Sequence, residues 1–341
     1  MQHESDLIVG AGPIGLACAI SAVRRGRHPF IIDAGPIASS IVRYPIGMHF
    51  FTTPERLEIG NHPLVTAAGK ATREEALMYY RGVARAEGLR VRPYTRLLGA
   101  RRDETTGRIH CEVETRAGND QVTCDRLVLA TGYFDHPNLL DVPGEDLPHV
   151  SHYFDEPHVT AGLRVVIIGG KNSAIESALL TFRAGARVTL VYRRDALKPS
   201  VKYWLKPDFD NRVKAGEIEA RFGANVVEIT PRHVTIETGG GARENLAADR
   251  VYALTGYHPD FALFESIGIR LDATGRPELN ETTLEANVPG VFMAGSVTGG
   301  RQISEVFIEN GRYDGEKIFG DSASREQATE LYASSFRAVD E

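Results

Sequence analysis

An α/β fold of two Rossmann-like βαβ domains, the second inserted in the first, is predicted by three observations on the sequence. First, a buried-strand pattern breaks into glycines and then into a helix of small residues over residues 6–22, and the same succession returns over residues 164–182. Second, strands expected over 126–130 and 250–254 both end in Thr-Gly, at Thr131-Gly132 and Thr255-Gly256. Third, a further strand, 290–294, runs into Gly295-Ser296 only after the second unit has closed, so the first unit resumes late in the chain. The implied division gives residues 1–138 and 257–341 to the first domain and 139–256 to the second.

In chain order, polar residues at the start lead straight into the apolar run 7–9, which leaves no room for a targeting peptide and makes a cytoplasmic location the expectation. A strand over 29–32 ends at Asp33. A polar helix follows over 72–87, then a hairpin-like region over 97–123. Beyond the second glycine turn a helix reaches 182 and a strand occupies 188–191. After Gly256 come a short helix, the 290–294 strand and a helix beginning near Ile303. The polar tail from Asp321 holds one amphipathic helix over 328–336.

Hydrophobic residues make up 42% of the 341 and charged residues 25%, and no apolar run approaches the ~20 residues that span a bilayer. No membrane partner is expected. A net charge of -6 with both signs interspersed offers no basic patch for a phosphate backbone, so nucleic acid is not an expected partner either. The three cysteines, Cys18, Cys111 and Cys124, form no C-x-x-C and have no metal-ligand spacing, so no metal is expected.

Gly10, Gly12 and Gly15 satisfy G-x-G-x-x-G with Pro13 and Ile14 inside the turn: a tight turn, backbone approach to a pyrophosphate, and close packing of helix on strand. The helix start faces the phosphates. Asp33, followed by Ala34, stands 18 residues after Gly15, where a carboxylate accepts hydrogen bonds from ribose hydroxyls. The late strand with Gly295 and Ser296 suits FAD, which needs a second contact region far along the chain. Residues 299–304, opening a helix near Ile303, would turn a positive helix end toward the flavin.

In the second turn, Gly169-Gly170-Lys171-Asn172-Ser173, Lys171 replaces the glycine that admits pyrophosphate, and its ammonium either pairs with a phosphate or faces solvent. Tyr192-Arg193-Arg194 ends the next strand where an NAD site carries an acid. Two arginines can fork onto a 2′-phosphate, with the tyrosine ring near adenine, and this favours NADPH.

These turns, the Thr-Gly strand ends and the interrupted first domain resemble the low-molecular-weight thioredoxin reductase architecture over nearly the whole chain. More specifically, the stretches beginning Tyr44-Pro-Ile-Gly-Met-His-Phe-Phe51, Ala130-Thr-Gly-Tyr-Phe-Asp-His-Pro-Asn, Ile168-Gly-Gly-Lys-Asn-Ser, Thr255-Gly-Tyr-His-Pro-Asp and Phe307-Ile-Glu-Asn-Gly-Arg resemble the bacillithiol disulfide reductases. The resemblance implies FAD, contacted also by Phe51, Thr131 and Gly132. It further implies reduction of a low-molecular-weight disulfide by NADPH, and a homo-oligomer. It places the cysteine suspected of exchange with substrate at the position held here by Ile14. Cys18 lies one helical turn on, and a buried packing role suits it better than a catalytic one. Tyr133, His152 and His258 are candidate proton donors. Rival readings are a ferredoxin or flavodoxin NADP reductase without C-x-x-C, a flavin monooxygenase, and a flavin-holding sensor without turnover.

Overall fold

The structure, a computed structural model, describes residues 2–302 and 305–337. The chain divides into two compact units, one made of Met1–Arg43, Gly47–His136 and Tyr257–Glu341, the other of Tyr44–Ile46 and Pro137–Gly256. The excursion at residues 44–46 had no signal in the sequence. It belongs to the second unit because the Ile46 N–H donates to the Asp155 carbonyl at 2.9 Å.

The first unit opens with β1 (Gln2–Val9), α1 (Pro13–Val23), β2 (Phe30–Ile32) and the short α2 (Ser39–Val42) and α3 (Pro54–Leu57). There follow α4 (Arg73–Ala86), β3 (Arg90–Arg92), β4 (Thr95–Arg102), β5 (Ile109–Thr115) and β6 (Gly118–Leu129). Strand order is β3-β2-β1-β6-β5-β4. β1 pairs parallel with both β2 and β6, with Leu7 opposite Phe30 and Leu127. Residues 7–9 are all buried, as a parallel strand covered on both faces requires. The hairpin-like region is a three-strand antiparallel meander in which Ile109, Cys111 and Val113 alternate inward. α4 is started by a capping box between Thr72 and Glu75. Its Tyr80 is buried and donates to the Leu57 carbonyl at 2.9 Å.

The second unit holds β7 (Val150–Ser151), β8 (Arg164–Ile168), α5 (Asn172–Arg183), β9 (Arg187–Tyr192), α6 (Lys206–Lys214) and β10 (Ile218–Phe222). It continues with β11 (Ala224–Ile229), β12 (His233–Thr238), β13 (Arg243–Ala247) and β14 (Arg250–Ala253). A parallel sheet β10-β9-β8-β14-β7 is joined by an antiparallel sheet β11-β12-β13. Ala174, Ile175, Ala178 and Leu179 form the buried stripe of α5. Burying side chains such as Ile175 contributes about 1.5–3 kcal/mol each, which is what holds the helix on the sheet.

The chain then returns to the first unit with α7 (Phe261–Ile267), β15 (Val291–Met293), α8 (Ile308–Gly311), α9 (Asp314–Phe319) and α10 (Ser322–Arg337). β15 extends the first sheet by pairing parallel with β6, Met293 opposite Leu129. The helix expected to begin near Ile303 lies outside the described residues; after the single 3-10 turn Gly295–Gly299 the following described helix starts at Ile308. Gly300 takes a left-handed φ of 56°, and the Arg301 N–H is committed to the Thr274 carbonyl, so residues 299–302 cannot continue a helix. α10 is longer than the expected 328–336. Among the described residues no helix is long and apolar enough to cross a membrane.

Candidate functional site

Two turns are built alike. In the first, the Gly10 N–H donates to Ile32 and Ala130 N–H to Val9; in the second, Gly169 N–H donates to Val191 and Leu254 N–H to Ile168. A β-carbon on Gly10 would stand 2.2 Å from the Ala130 carbonyl oxygen, and one on Gly169 2.5 Å from that of Leu254. Each glycine lets the Thr-Gly strand end close over its turn.

In the first unit Gly15 presses on the turn itself, since its β-carbon would fall 1.8 Å from the Gly10 oxygen. Gly12 is the opposite case: nothing lies within 4 Å of a β-carbon there. The open second glycine, at the start of an eleven-residue helix, leaves backbone free for a phosphate group. Thr131, whose backbone lies against Gly10, has its Oγ1 buried without a hydrogen-bond partner, an orphan a ligand hydroxyl or phosphate would satisfy. These residues fit a dinucleotide, and Gly10, Gly12, Gly15, Asp33 and Thr131 are the ones that could hold FAD.

Asp33 is 9% exposed, and its two oxygens accept the N–H groups of Ala11 and Gly35, both at 2.7 Å. Each oxygen keeps a lone pair for a hydroxyl donor. Burial pushes the carboxyl up to about 6, the two backbone hydrogen bonds opposing it. A folded pKa above the unfolded value means Asp33 contributes stability below about pH 4, lost as pH rises through about 6. The FAD-free protein is therefore expected to lose its stability advantage over Asp33→Asn by about 3 kcal/mol between those limits. Urea unfolding of both proteins across that range checks this; a constant difference would refute it.

In the second unit a cation, Lys171, stands where the first turn has its open second glycine. Lys171 caps α5 and is exposed, and its ammonium is pushed below the usual lysine range by burial and then by the positive charges of Lys198, Arg193 and Arg194. A polyanion bound there would relieve the repulsion that these three cations exert on Lys171. Lys198 acts on Lys171 from 27 positions further along the chain, a proximity visible only in the fold. The Asn172 side-chain amide oxygen Oδ1 anchors the loop that carries Lys198 by accepting the Lys202 backbone N–H at 2.9 Å. Tyr192 does not stand free for adenine: its ring is buried against Gly170, whose β-carbon would fall 2.5 Å from it. Ser173 is exposed at the start of α5.

The remaining candidates scatter. Cys18 is 0% exposed on the face of α1 that meets α9, and burial followed by the charges of Asp314 and Glu316 raises its thiol well above the usual range. Cys111 and Cys124 are buried too. Tyr133 is half-buried, and its hydroxyl is raised by burial. His152, in the second unit, faces the Ala253 carbonyl at 3.2 Å and Glu145 at 3.4 Å, the partners of a structural histidine. His258, in the first, lies stacked between His136 and Phe261. Phe51 and Ala34 are exposed, Pro13 half-buried, and Gly132 takes a left-handed φ of 69°. Ile14 packs between two glycines, 3.1 Å from the β-carbon positions of Gly295 and Gly311, while Ser296 follows in the turn.

Comparison with known proteins agrees with this geometry. Residues 7–295 match the model of the pyridine nucleotide-disulphide oxidoreductase family. Bacilliredoxin reductase Bdr of Bacillus subtilis (strain 168) is 41% identical over 96% of this chain and 99% of its own. The structure is similar to that of bacillithiol disulfide reductase Bdr (YpdA) from Bacillus cereus, with a TM-score of 0.90, 38% identity, and coverage of 98% of this chain and 100% of that one. For the Staphylococcus aureus protein of the same description the values are 0.88, 37%, 97% and 99%. The expected thioredoxin-reductase-like α/β fold and the two cofactors agree with these likenesses, and the chain belongs to the pyridine nucleotide-disulphide oxidoreductase family as an FAD- and NAD(P)H-dependent oxidoreductase.

Proposed function

We propose that this protein is a cytoplasmic, homo-oligomeric, NADPH-dependent reductase of a low-molecular-weight disulfide, bacillithiol disulfide, with residues 1–138 and 257–341 binding FAD and 139–256 binding NADPH. The observation that carries the reading is the pairing of two glycine-turn sites with cysteines that are all buried. The names of the Bacillus cereus and Staphylococcus aureus proteins supply the low-molecular-weight disulfide, while that of the Bacillus subtilis relative names bacilliredoxin instead. When bound, FAD supplies the two-electron relay between NADPH and a disulfide.

The residues have separable tasks. Gly12 admits the pyrophosphate, Asp33 receives ribose hydroxyls, and Arg193, Arg194 and Lys198 select the 2′-phosphate. Ile14 places a branched aliphatic side chain where the resemblance puts an exchanging thiol, and Cys18 is too buried and too weakly acidic to replace it. The disulfide is therefore reduced without a protein thiol intermediate.

The test is NADPH oxidation with bacillithiol disulfide, with oxidised bacilliredoxin, ferredoxin and glutathione disulfide as other acceptors. Turnover is expected with bacillithiol disulfide and is retained within about threefold in Cys18→Ala, since trimming one buried sulfur leaves the cofactor sites untouched. Reduction of ferredoxin alone would replace this reading with that of an electron-transfer reductase. Loss of turnover in a folded, FAD-loaded Cys18→Ala protein would restore a thiol to the reaction.

A further inference from the structure

A buried charge pair under the Gly295 turn has no part in the reaction so far described. Asp314, at the start of α9, is 2% exposed, and its carboxylate accepts the Gly295 N–H at 2.7 Å. Lys317, one turn on, is 7% exposed, and its ammonium lies over the Tyr332 ring of α10 at 4.7 Å. Two buried ionisable side chains on one short helix are costly unless compensated, and here the Lys317 charge favours the ionised form of Asp314 while the Asp314 carboxylate pins a backbone turn.

The turn so pinned touches the first glycine site. Gly295 has a left-handed φ of 76°, a β-carbon on it would meet Ile14 at 3.1 Å, and its Cα lies 3.4 Å from the β-carbon position of Gly311. The Gly295 amide thus sets how β15 and α8 stand against Ile14, inside the turn that receives the pyrophosphate. Moving that amide by a few tenths of an ångström moves the wall of the site.

We propose that Asp314 is a positioning residue for the flavin site, its ionised carboxylate tying the Gly295 amide in place and thereby strengthening FAD binding, with Lys317 as the balancing cation. The inference rests on the assignment of this unit to FAD. Burial pushes the Asp314 carboxyl up to about 7, opposed by the Gly295 hydrogen bond and by Lys317. Around it stand Cys18 from α1, Lys317 and Glu316 on α9 itself, and Tyr332 from α10. Glu316 is paired with Arg25, and burial holds the Cys18 thiol and the Tyr332 hydroxyl in their neutral forms at neutral pH. Asp314 is accordingly the group of this set that changes charge near neutrality.

The test is titration of FAD into the flavin-stripped full-length protein, read by flavin fluorescence, for the parent, Asp314→Asn, Asp314→Ala and Lys317→Met. Between about pH 6 and pH 8 the parent affinity is expected to rise ~fivefold, because a charge-assisted hydrogen bond is about twice as strong as a neutral one. Asp314→Asn keeps an acceptor for the Gly295 N–H but no charge, so its affinity stays flat over that range and matches the parent at the acid end. Lys317→Met moves the parent midpoint to higher pH, a shift that loss of packing alone would not produce. Asp314→Ala, if folded by circular dichroism, binds more weakly than Asp314→Asn at every pH. Identical pH profiles for the parent and Asp314→Asn would overturn the inference while leaving the flavin site intact. A parent that binds no FAD at all would overturn the flavin assignment and the inference with it.

Discussion

Gly12→Leu is expected to yield a folded protein that no longer retains FAD, whereas Gly15→Leu is expected not to fold. The two glycines look interchangeable in the motif but stand in opposite surroundings. A side chain at Gly12 enters open space, so the apoprotein keeps its packing; one at Gly15 meets the Gly10 oxygen at 1.8 Å, a backbone atom that cannot move aside. Filling the space over Gly12 denies a phosphate its approach to the turn. Loss of about two charge-assisted backbone bonds, each about 1.5–3 kcal/mol, weakens FAD by on the order of hundredfold or more. Visible absorbance after purification, with thermal unfolding of the apoprotein, separates the cases. A yellow Gly12→Leu protein of parental affinity would remove the pyrophosphate from this turn.

The second large effect is expected at the cation cluster. Arg193→Ala with Arg194→Ala should raise the KM for NADPH by on the order of hundredfold, at about 1.5–3 kcal/mol for each charge-assisted contact removed, and leave the KM for NADH within a few-fold. Lys198→Ala alone should move the same ratio in the same direction by about tenfold, since one cation contributes one such contact. Three like charges, Lys198, Arg193 and Arg194, lower the proton affinity of Lys171, and a 2′-phosphate is the group that NADPH carries and NADH does not. The cost of the substitutions should also shrink as salt is added, because exposed charges are screened. Equal losses with both nucleotides would show that the cluster serves the shared pyrophosphate instead.

Much of this molecule was legible beforehand because local patterns and local chemistry coincide in a βαβ unit. The runs 7–9 and 164–168, the glycines after them and the Thr-Gly strand ends each announce a strand that must stop beside a ligand. The polar helix expected over 72–87 is observed as Arg73–Ala86 for a similarly local reason, its start being held by a capping box between Thr72 and Glu75. Where a contact joins residues far apart in sequence, the reading failed. Tyr192 was expected near adenine, and its ring is packed on Gly170, 22 positions away; the Arg301 N–H is taken by the Thr274 carbonyl of another segment, a contact with no local signal.

The sequence by itself thus determined the class of fold, the duplicated glycine turns, the absence of a C-x-x-C and the residue types available at each turn, since all of these depend on neighbours within a few positions. Only the tertiary structure decided that Gly12 is open while Gly15 is closed, that Lys198 joins the arginines around Lys171, and that Cys18 is sealed against α9. It alone set Asp314 under Gly295, 19 residues away. Those outcomes depend on which side chains a folded chain brings into one low-dielectric space, where burial and opposite charge, not sequence distance, fix what each group can do.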